Sequence, residues 1–423
     1  MGNKMTLSQT RFIELFLSHG LIYSRRIEIV KQLTHDDWAT ISGWARQSGT
    51  LSNVYAFLNE EGICDLIPKD LAGEFRYEYL SIAARNIFFL DRAATLLSGL
   101  KAKHVRVAAL KGIFLLDNIY HSIGERSMND IDLLVPRNDL ACALRFFNEK
   151  GFSPKSYFDI KAENIDIKHV PPLMKPDEPI VELHWTLLEE DEPFRIEMEN
   201  VWERVRPVMV NNVEVFALGV EDAILHLCLH SSYQHYFQNR LRGLIDIDKF
   251  IWHSSPDIDW DNLMKIASEW RAERVVWLTF ALLIDLFHTP ISSDFQVALA
   301  KAFGNDRVLQ SSRAMLLSQE ASATVLTPDL ARLDPNSSLL EKIKVGLSRI
   351  FISKTSLSRL YNVPPNSMFI NLYYFRRLWD LVKNYAITAI KVLFKSKKIQ
   401  GDIRNQKSVN QIHAWLGGEE WNE

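Results

Sequence analysis

Asn129-Asp130-Ile131-Asp132-Leu133-Leu134-Val135 sets two carboxylates inside an otherwise apolar run, and Pro136 closes it. So short an apolar run bounded by a proline predicts a buried strand. Residues i and i+2 of a strand share a face, so Asp130 and Asp132 point the same way, roughly 7 Å apart along the chain. Like charges held that close beside a sheet repel unless a proton or a cation neutralises one of them. A hard divalent ion with oxygen ligands, Mg2+ or Mn2+, suits the pair best. Ions held this way commonly serve phosphate chemistry. An isolated Asp-X-Asp also arises by chance, so the flanking sequence decides what weight it carries.

Upstream, Val105-Arg106-Val107-Ala108-Ala109-Leu110 predicts a short strand ended by Lys111-Gly112, then a helix over Ile113–Tyr120 and a polar loop with Gly124 and Arg126. A glycine at that turn lets a phosphate approach the helix N-terminus, where free N–H groups and the helix dipole favour anions. Downstream, Asn138 or Asp139 caps a helix running to about Lys150, with Gly151 at its C′ position. Strand-like pieces follow at Ile165-Asp166-Ile167-Lys168-His169 and at Pro179-Ile180-Val181-Glu182-Leu183-His184-Trp185. Glu182 and His184 are again i and i+2, so a third carboxylate can reach the same sheet edge. A hairpin is predicted near Val213–Leu218.

The flanks read as helices. Ser8 opens one, and Thr34-His35-Asp36-Asp37 opens another with acids in its first turn. A long helix spans about Leu71–Leu100, with Leu80, Ile82, Ala83, Ile87 and Leu90 at helical spacing. After the middle, helices are expected from Glu221-Asp222 to His230 and over about 239–252, 259–270 and 272–288. Pro328, Pro335, Pro364 and Pro365 mark loops in a mixed stretch over 305–365. The expected division is a helical region over 1–100, an α/β core over 101–218, a helical domain over 219–304 and a mostly helical extension over 305–423.

In order and spacing, Leu110-Lys111-Gly112, Arg126, Asp130-Ile131-Asp132-Leu133-Leu134-Val135, Gly151-Phe152, His169 with Pro171-Pro172-Leu173, and Glu182-Leu183-His184-Trp185 resemble the uncharacterised nucleotidyltransferase family of the DNA-polymerase-β-like superfamily. The resemblance covers about residues 75–255. It implies an α+β (α/β) fold, a small mixed sheet with flanking helices. It implies transfer of a nucleoside monophosphate from an NTP to an acceptor, a small molecule or a protein, with pyrophosphate leaving. Carried over by position, Asp130, Asp132 and Glu182 would be catalytic and hold Mg2+ or Mn2+, while Lys111, Gly112 and Arg126 would bind the nucleotide. One departure stands out: the superfamily usually has Gly-Ser at the turn, and here it is Lys111-Gly112-Ile113. No hydroxyl follows the glycine, so Lys111 and Arg126 would supply the phosphate contacts. That departure also keeps open a non-catalytic scaffold on a degenerate transferase fold. A metal-dependent glycosyltransferase using Asp-X-Asp is a further alternative, which needs a Rossmann-like sheet that residues 1–100 do not offer.

The chain has 423 residues, 49 Lys and Arg against 52 Asp and Glu, and a net charge of −3, so no global pull toward nucleic acid is expected and templated polymerisation is not implied. Cys64, Cys142 and Cys228 are few and scattered, which fits a reducing cytoplasm better than a disulfide framework. The stretch Phe369–Phe394 carries Arg376, Arg377, Asp380, Lys383 and Lys391 and reads as an amphipathic helix with a basic tail. It suits packing on its own domain better than peripheral contact with anionic lipid. Tyr373-Tyr374, Phe375 and Trp379 read as a core stripe. His226, Cys228 and His230 read as structural rather than zinc-binding, because Cys228 at i+2 leaves the helix face that the histidines share. Asp246-Ile247-Asp248 reads as helical, with Asp246 pairing to Arg242 at i−4.

Overall fold

The computed structural model describes residues 8–18, 23–156, 168–189, 192–235, 237, 241–317, 350–381, 383 and 408–421. Seven strands build one mixed sheet: β1 (Ala108–Ala109), β2 (Asp130–Leu134), β3 (Ser153–Pro154), β4 (Leu173–Met174), β5 (Ile180–His184), β6 (Arg206–Val210) and β7 (Val213–Ala217). Their order is β3-β4-β5-β2-β1-β7-β6. β2 runs parallel to β5 and antiparallel to β1, which is parallel to β7. Of the expected strand at Ile165–His169, the first three residues lie outside the described residues. His169 makes an isolated antiparallel bridge to His184.

Helices enclose the sheet, in keeping with the expected core of a small mixed sheet and flanking helices. They are α1 (Gln9–Phe16), α2 (Tyr23–Val30), α3 (His35–Ser48), α4 (Leu51–Glu60), α5 (Lys69–Ala102), α6 (Lys111–Asn118), α7 (Leu140–Glu149) and α8 (Met198–Arg204). Beyond the sheet come α9 (Val220–Cys228), α10 (Leu241–Ser254), α11 (Trp260–Glu269), α12 (Glu273–Phe287), α13 (Ser293–Phe303), α14 (Asp306–Leu317) and α15 (Lys354–Tyr361). Ser8 caps α1 by accepting from the Arg11 N–H, and Thr34 with Asp37 forms a full capping box on α3. Asp139 departs from its expected role: a 3-10 turn precedes α7, and its carboxylate instead accepts the Arg106 backbone N–H at 3.1 Å. The Asn211-Asn212 turn of the β6–β7 hairpin has two left-handed residues, as a tight hairpin requires.

Two apolar stripes differ from expectation. On α5, Ile82, Ala83 and Leu90 are buried, but Leu80 and Ile87 face solvent, because this helix meets the sheet and the N-terminal helices through a narrower face. Phe375 and Trp379 are 73% and 70% exposed, so they are no part of a core stripe. Tyr373 packs on the Tyr361 ring, and the Tyr374 hydroxyl donates to Ile352 O. The stretch 384–394 and the lysines after it lie outside the described residues, as do Pro328 and Pro335. No helix among the described residues is long and apolar enough to cross a membrane. Cys64, Cys142 and Cys228 are all free.

The loop between α6 and β2, which delivers the chain to Asp130, is pinned on several sides. Asn86 of α5 donates to Ile123 O and Arg126 O, and Ser52 of α4 donates to Glu125 O. Gly124 lies so close to α5 that a Cβ there would meet the Tyr79 ring at 2.6 Å and the Tyr79 carbonyl at 2.7 Å. From α10, Lys249 pairs with Glu125 at 2.8 Å, and Asp246 pairs with Arg126. The expected Asp246–Arg242 pair gives way to this one: Asp246 accepts from Arg126 Nε and Nη2 at 2.7 and 2.8 Å and from the Tyr120 hydroxyl at 2.6 Å. A buried carboxylate is better satisfied by a bidentate guanidinium than by a neighbour on its own helix. Arg242 turns to Ser127 Oγ instead, and Asp248 accepts from Thr289. We expect Asp246→Ala to cost about 3–5 kcal/mol in urea unfolding, because it strands a buried guanidinium. A loss below about 1 kcal/mol would show that this pair does not tie the loop to α10.

Candidate active site

The parallel register of β2 and β5 assembles the site. Asp132 stands directly opposite Glu182, Asp130 opposite Ile180 and Leu134 opposite His184. The even-numbered residues of both strands therefore share one face, while Ile131, Leu133, Val181 and Leu183 are buried on the other. His184 reaches back one pair, placing Nε2 at 3.1 Å from Asp132 Oδ1 and 3.5 Å from Glu182 Oε2. Above this edge, Leu110 N donates to Asp132 O, which holds the start of α6 against β2. Leu110 makes no side-chain cap, and a helix start of this kind favours an anion.

Lys111, the first residue of α6, has φ 39°, a left-handed conformation that costs a lysine about 1–2 kcal/mol. Its Nζ lies 2.7 Å from Asp132 Oδ1 in a pair 10% and 4% exposed. Gly112 follows, and a Cβ there would meet Met128 Sδ at 3.2 Å and an Arg126 terminal nitrogen at 3.3 Å, so those side chains would have to give by a few tenths of an ångström to admit one.

All six residues singled out from the sequence, Lys111, Gly112, Arg126, Asp130, Asp132 and Glu182, line one cleft of about 340 Å3. Not all meet there on equal terms. The donor atoms that converge within 4.8 Å of one another, the only such metal-capable group among the described residues, belong to Asp132, Glu182 and His184. Asp130 borders this trio without joining it. Arg126 is committed to Asp246 through two nitrogens, leaving its third near Gly112. The cleft also draws in Lys168, His169, His230, His235 and Arg242, none of which the sequence assigned to the site. His184 had a signal, its i+2 spacing from Glu182, but the sequence narrowly favours a satisfied histidine beside Trp185. His230 lies in a π-helical turn, Leu229–Gln234, and His235 follows it, a register that a 3.6-residue period conceals. Their rings are 4.3 Å apart.

The electrostatics divide the carboxylates. Burial, then repulsion from Asp132, pushes Asp130 up to about 6, and it has no hydrogen bond or ion pair among the described residues. Burial also favours protonation of Asp132, but Lys111 and His184 outweigh it and hold this carboxyl well below the usual range. For Glu182, burial favours the neutral form, but the His184 hydrogen bond together with the charges of His169 and Lys111 outweighs it, and the carboxyl lies below its ordinary value. Elsewhere in the cleft lining, burial, then the positive charge of Lys111, lowers His230 and brings His235 down to about 4, so both rings are neutral at pH 7. Burial and Lys111 also lower Lys168, which donates to Gln234 at 2.7 Å.

The donor set suits a divalent ion. Two carboxylates and an imidazole converge, and a third carboxylate beside them is uncompensated. Against this geometry, the chain matches a protein family described as "Uncharacterised nucleotidyltransferase" over residues 34–288, more than half of its length. The chain belongs to that family of nucleotidyltransferases. No curated protein matches it.

Asp130 and Asp132 should respond oppositely to neutralisation. A carboxyl raised in the fold destabilises it above its folded value, and the penalty fades as pH falls from about 6 toward the ordinary 3.8. Asp130→Asn should therefore add about 1–3 kcal/mol at pH 7.5 in metal-free buffer, and almost nothing at pH 4. Asp132 is depressed, so its contribution is present above the ordinary 3.8 and is lost as pH falls below it. Asp132→Asn should destabilise at pH 7.5, because Lys111 and His184 lose their partner. Denaturant melts of both variants decide this; shifts of the same sign at pH 7.5 would contradict it.

Proposed function

We propose that the chain is a divalent-metal-dependent nucleotidyltransferase, moving a nucleoside monophosphate from an NTP to a small-molecule or protein acceptor and releasing pyrophosphate. The observation that carries this is the Asp132–Glu182 register across β2 and β5, with Asp130 two residues before Asp132 on the same face. Membership of the nucleotidyltransferase family supports the reaction class. Asp130, Asp132 and Glu182, with His184 beside them, would hold Mg2+ or Mn2+, which would neutralise the phosphates and lower the pKa of an acceptor hydroxyl.

The chain's own residues supply the rest. The uncapped start of α6 at Lys111 and Gly112 presents N–H groups to a phosphate. Lys111, Lys168, Arg242 and the Nη1 end of Arg126 surround the cleft with positive charge for a polyanion. The acceptor oxygen attacks the α-phosphorus, a new P–O bond forms, and the bond to the bridging oxygen of the leaving pyrophosphate breaks. With its pKa lowered by the metal, the acceptor hydroxyl would lose its proton to water.

The Lys111–Asp132 pair favours a second reading, a scaffold whose metal has been replaced by a lysine. Pyrophosphate release from ATP, CTP, GTP or UTP with Mg2+ and a panel of acceptors separates the two. Asp132→Asn and Glu182→Gln should each lower turnover at least about a hundredfold. Turnover unchanged in both variants would exclude the transferase chemistry at this cleft. Absence of metal-dependent NTP binding by the parent chain would favour the scaffold.

A further inference from the structure

Lys111 occupies an unusual position for a phosphate-binding residue. Its Nζ lies 2.7 Å from Asp132 Oδ1, nearly excluded from solvent, and the same oxygen is 3.1 Å from His184 Nε2. Asp132 is also a member of the trio whose donor atoms converge for a cation. An ammonium and a divalent ion cannot share so small a space without strong repulsion. Lysine, a point charge on a flexible four-carbon stem, can leave a carboxylate where a rigid fork would hold on. Its new partner would be close at hand, because Lys111 and Gly112 form the uncapped start of α6 and line the same cleft.

We propose that Lys111 is a tethered counter-ion: it neutralises Asp132 while the cleft is empty, yields Asp132 to the divalent ion, and then pairs with the phosphates of the incoming nucleotide. This rests on the nucleotidyl-transfer reading above and adds an order of events to it. The lysine keeps β2 and β5 from carrying three uncompensated acids in the empty protein. It also makes ion binding weak until a nucleotide offers the displaced ammonium a partner, so the two ligands bind cooperatively.

The test uses the full chain, with Mn2+ followed by electron paramagnetic resonance and ATP as the nucleotide. Without nucleotide, Lys111→Met should bind Mn2+ about tenfold more tightly than the parent, equivalent to about 1.4 kcal/mol. Lys111→Arg, which keeps a cation but in a fork that holds on to the carboxylate, should bind Mn2+ no more tightly than the parent. With Mn2+ present, Lys111→Met should bind ATP about tenfold more weakly. Mn2+ binding by Lys111→Met that is unchanged or weaker overturns the proposal while leaving the metal-dependent reading intact. Mn2+ binding by neither parent nor variant overturns that reading and the proposal together. Amine acylation of the unaltered chain, read by mass spectrometry, serves should the variant fold poorly. Lys111 should be protected in the empty protein, reactive with Mn2+ alone, and protected again with Mn2+ and ATP. Protection that persists with Mn2+ alone would mean the ammonium never leaves Asp132, and the proposal would fall.

Discussion

Parallel pairing of β2 with β5 puts Asp132 opposite Glu182 and leaves their carboxylates on one face with Asp130. A sheet does not hold three acids there without compensation. Two of them are compensated by neighbours: Lys111 and His184 keep Asp132 ionised, and His184 with His169 and Lys111 does the same for Glu182. Asp130 is left to the electrostatics of its surroundings and moves toward neutrality. This unevenness sets Asp130 apart from the two carboxylates that their neighbours hold as anions.

The rest of the molecule holds that edge in place. The loop entering β2 is tied to α4, α5 and α10 by hydrogen bonds and by the Arg126–Asp246 and Lys249–Glu125 pairs. Arg126 thereby serves the site from behind, presenting a single nitrogen toward Gly112 while its other two anchor it to α10. Buried pairs of this kind add little net stability over apolar packing, but breaking one is costly, so they fix geometry. The backbone strain at Lys111 belongs to the same economy of position, since that residue begins α6 and reaches Asp132.

Much of this was legible in the sequence. The Asp-Ile-Asp strand, its proline stop and the i+2 spacing of Glu182 and His184 are local patterns with a period of two, and the structure reproduces them in register. Long helical patterns such as α5 and α12 were equally plain. What escaped depends on contacts between distant segments. Arg126 pairs with Asp246 on a distant helix, and Asp246 prefers Arg126 to Arg242 because a buried carboxylate selects bidentate geometry over proximity in sequence. His230 and His235 enter the cleft through a π-helical register that helical spacing misplaces. Phe375 and Trp379 have the period of a buried stripe and are exposed, because amphipathic spacing marks a face without saying what covers it.

The central claim is that a divalent ion belongs at the margin of β2 and β5. Anomalous diffraction from crystals grown with Mn2+ and a non-hydrolysable ATP analogue tests it most directly. A manganese peak within ligand distance of Asp132 and Glu182, with Lys111 turned toward the phosphates, is the expected result. A cleft holding the nucleotide with no manganese there, and Lys111 still on Asp132, would contradict it.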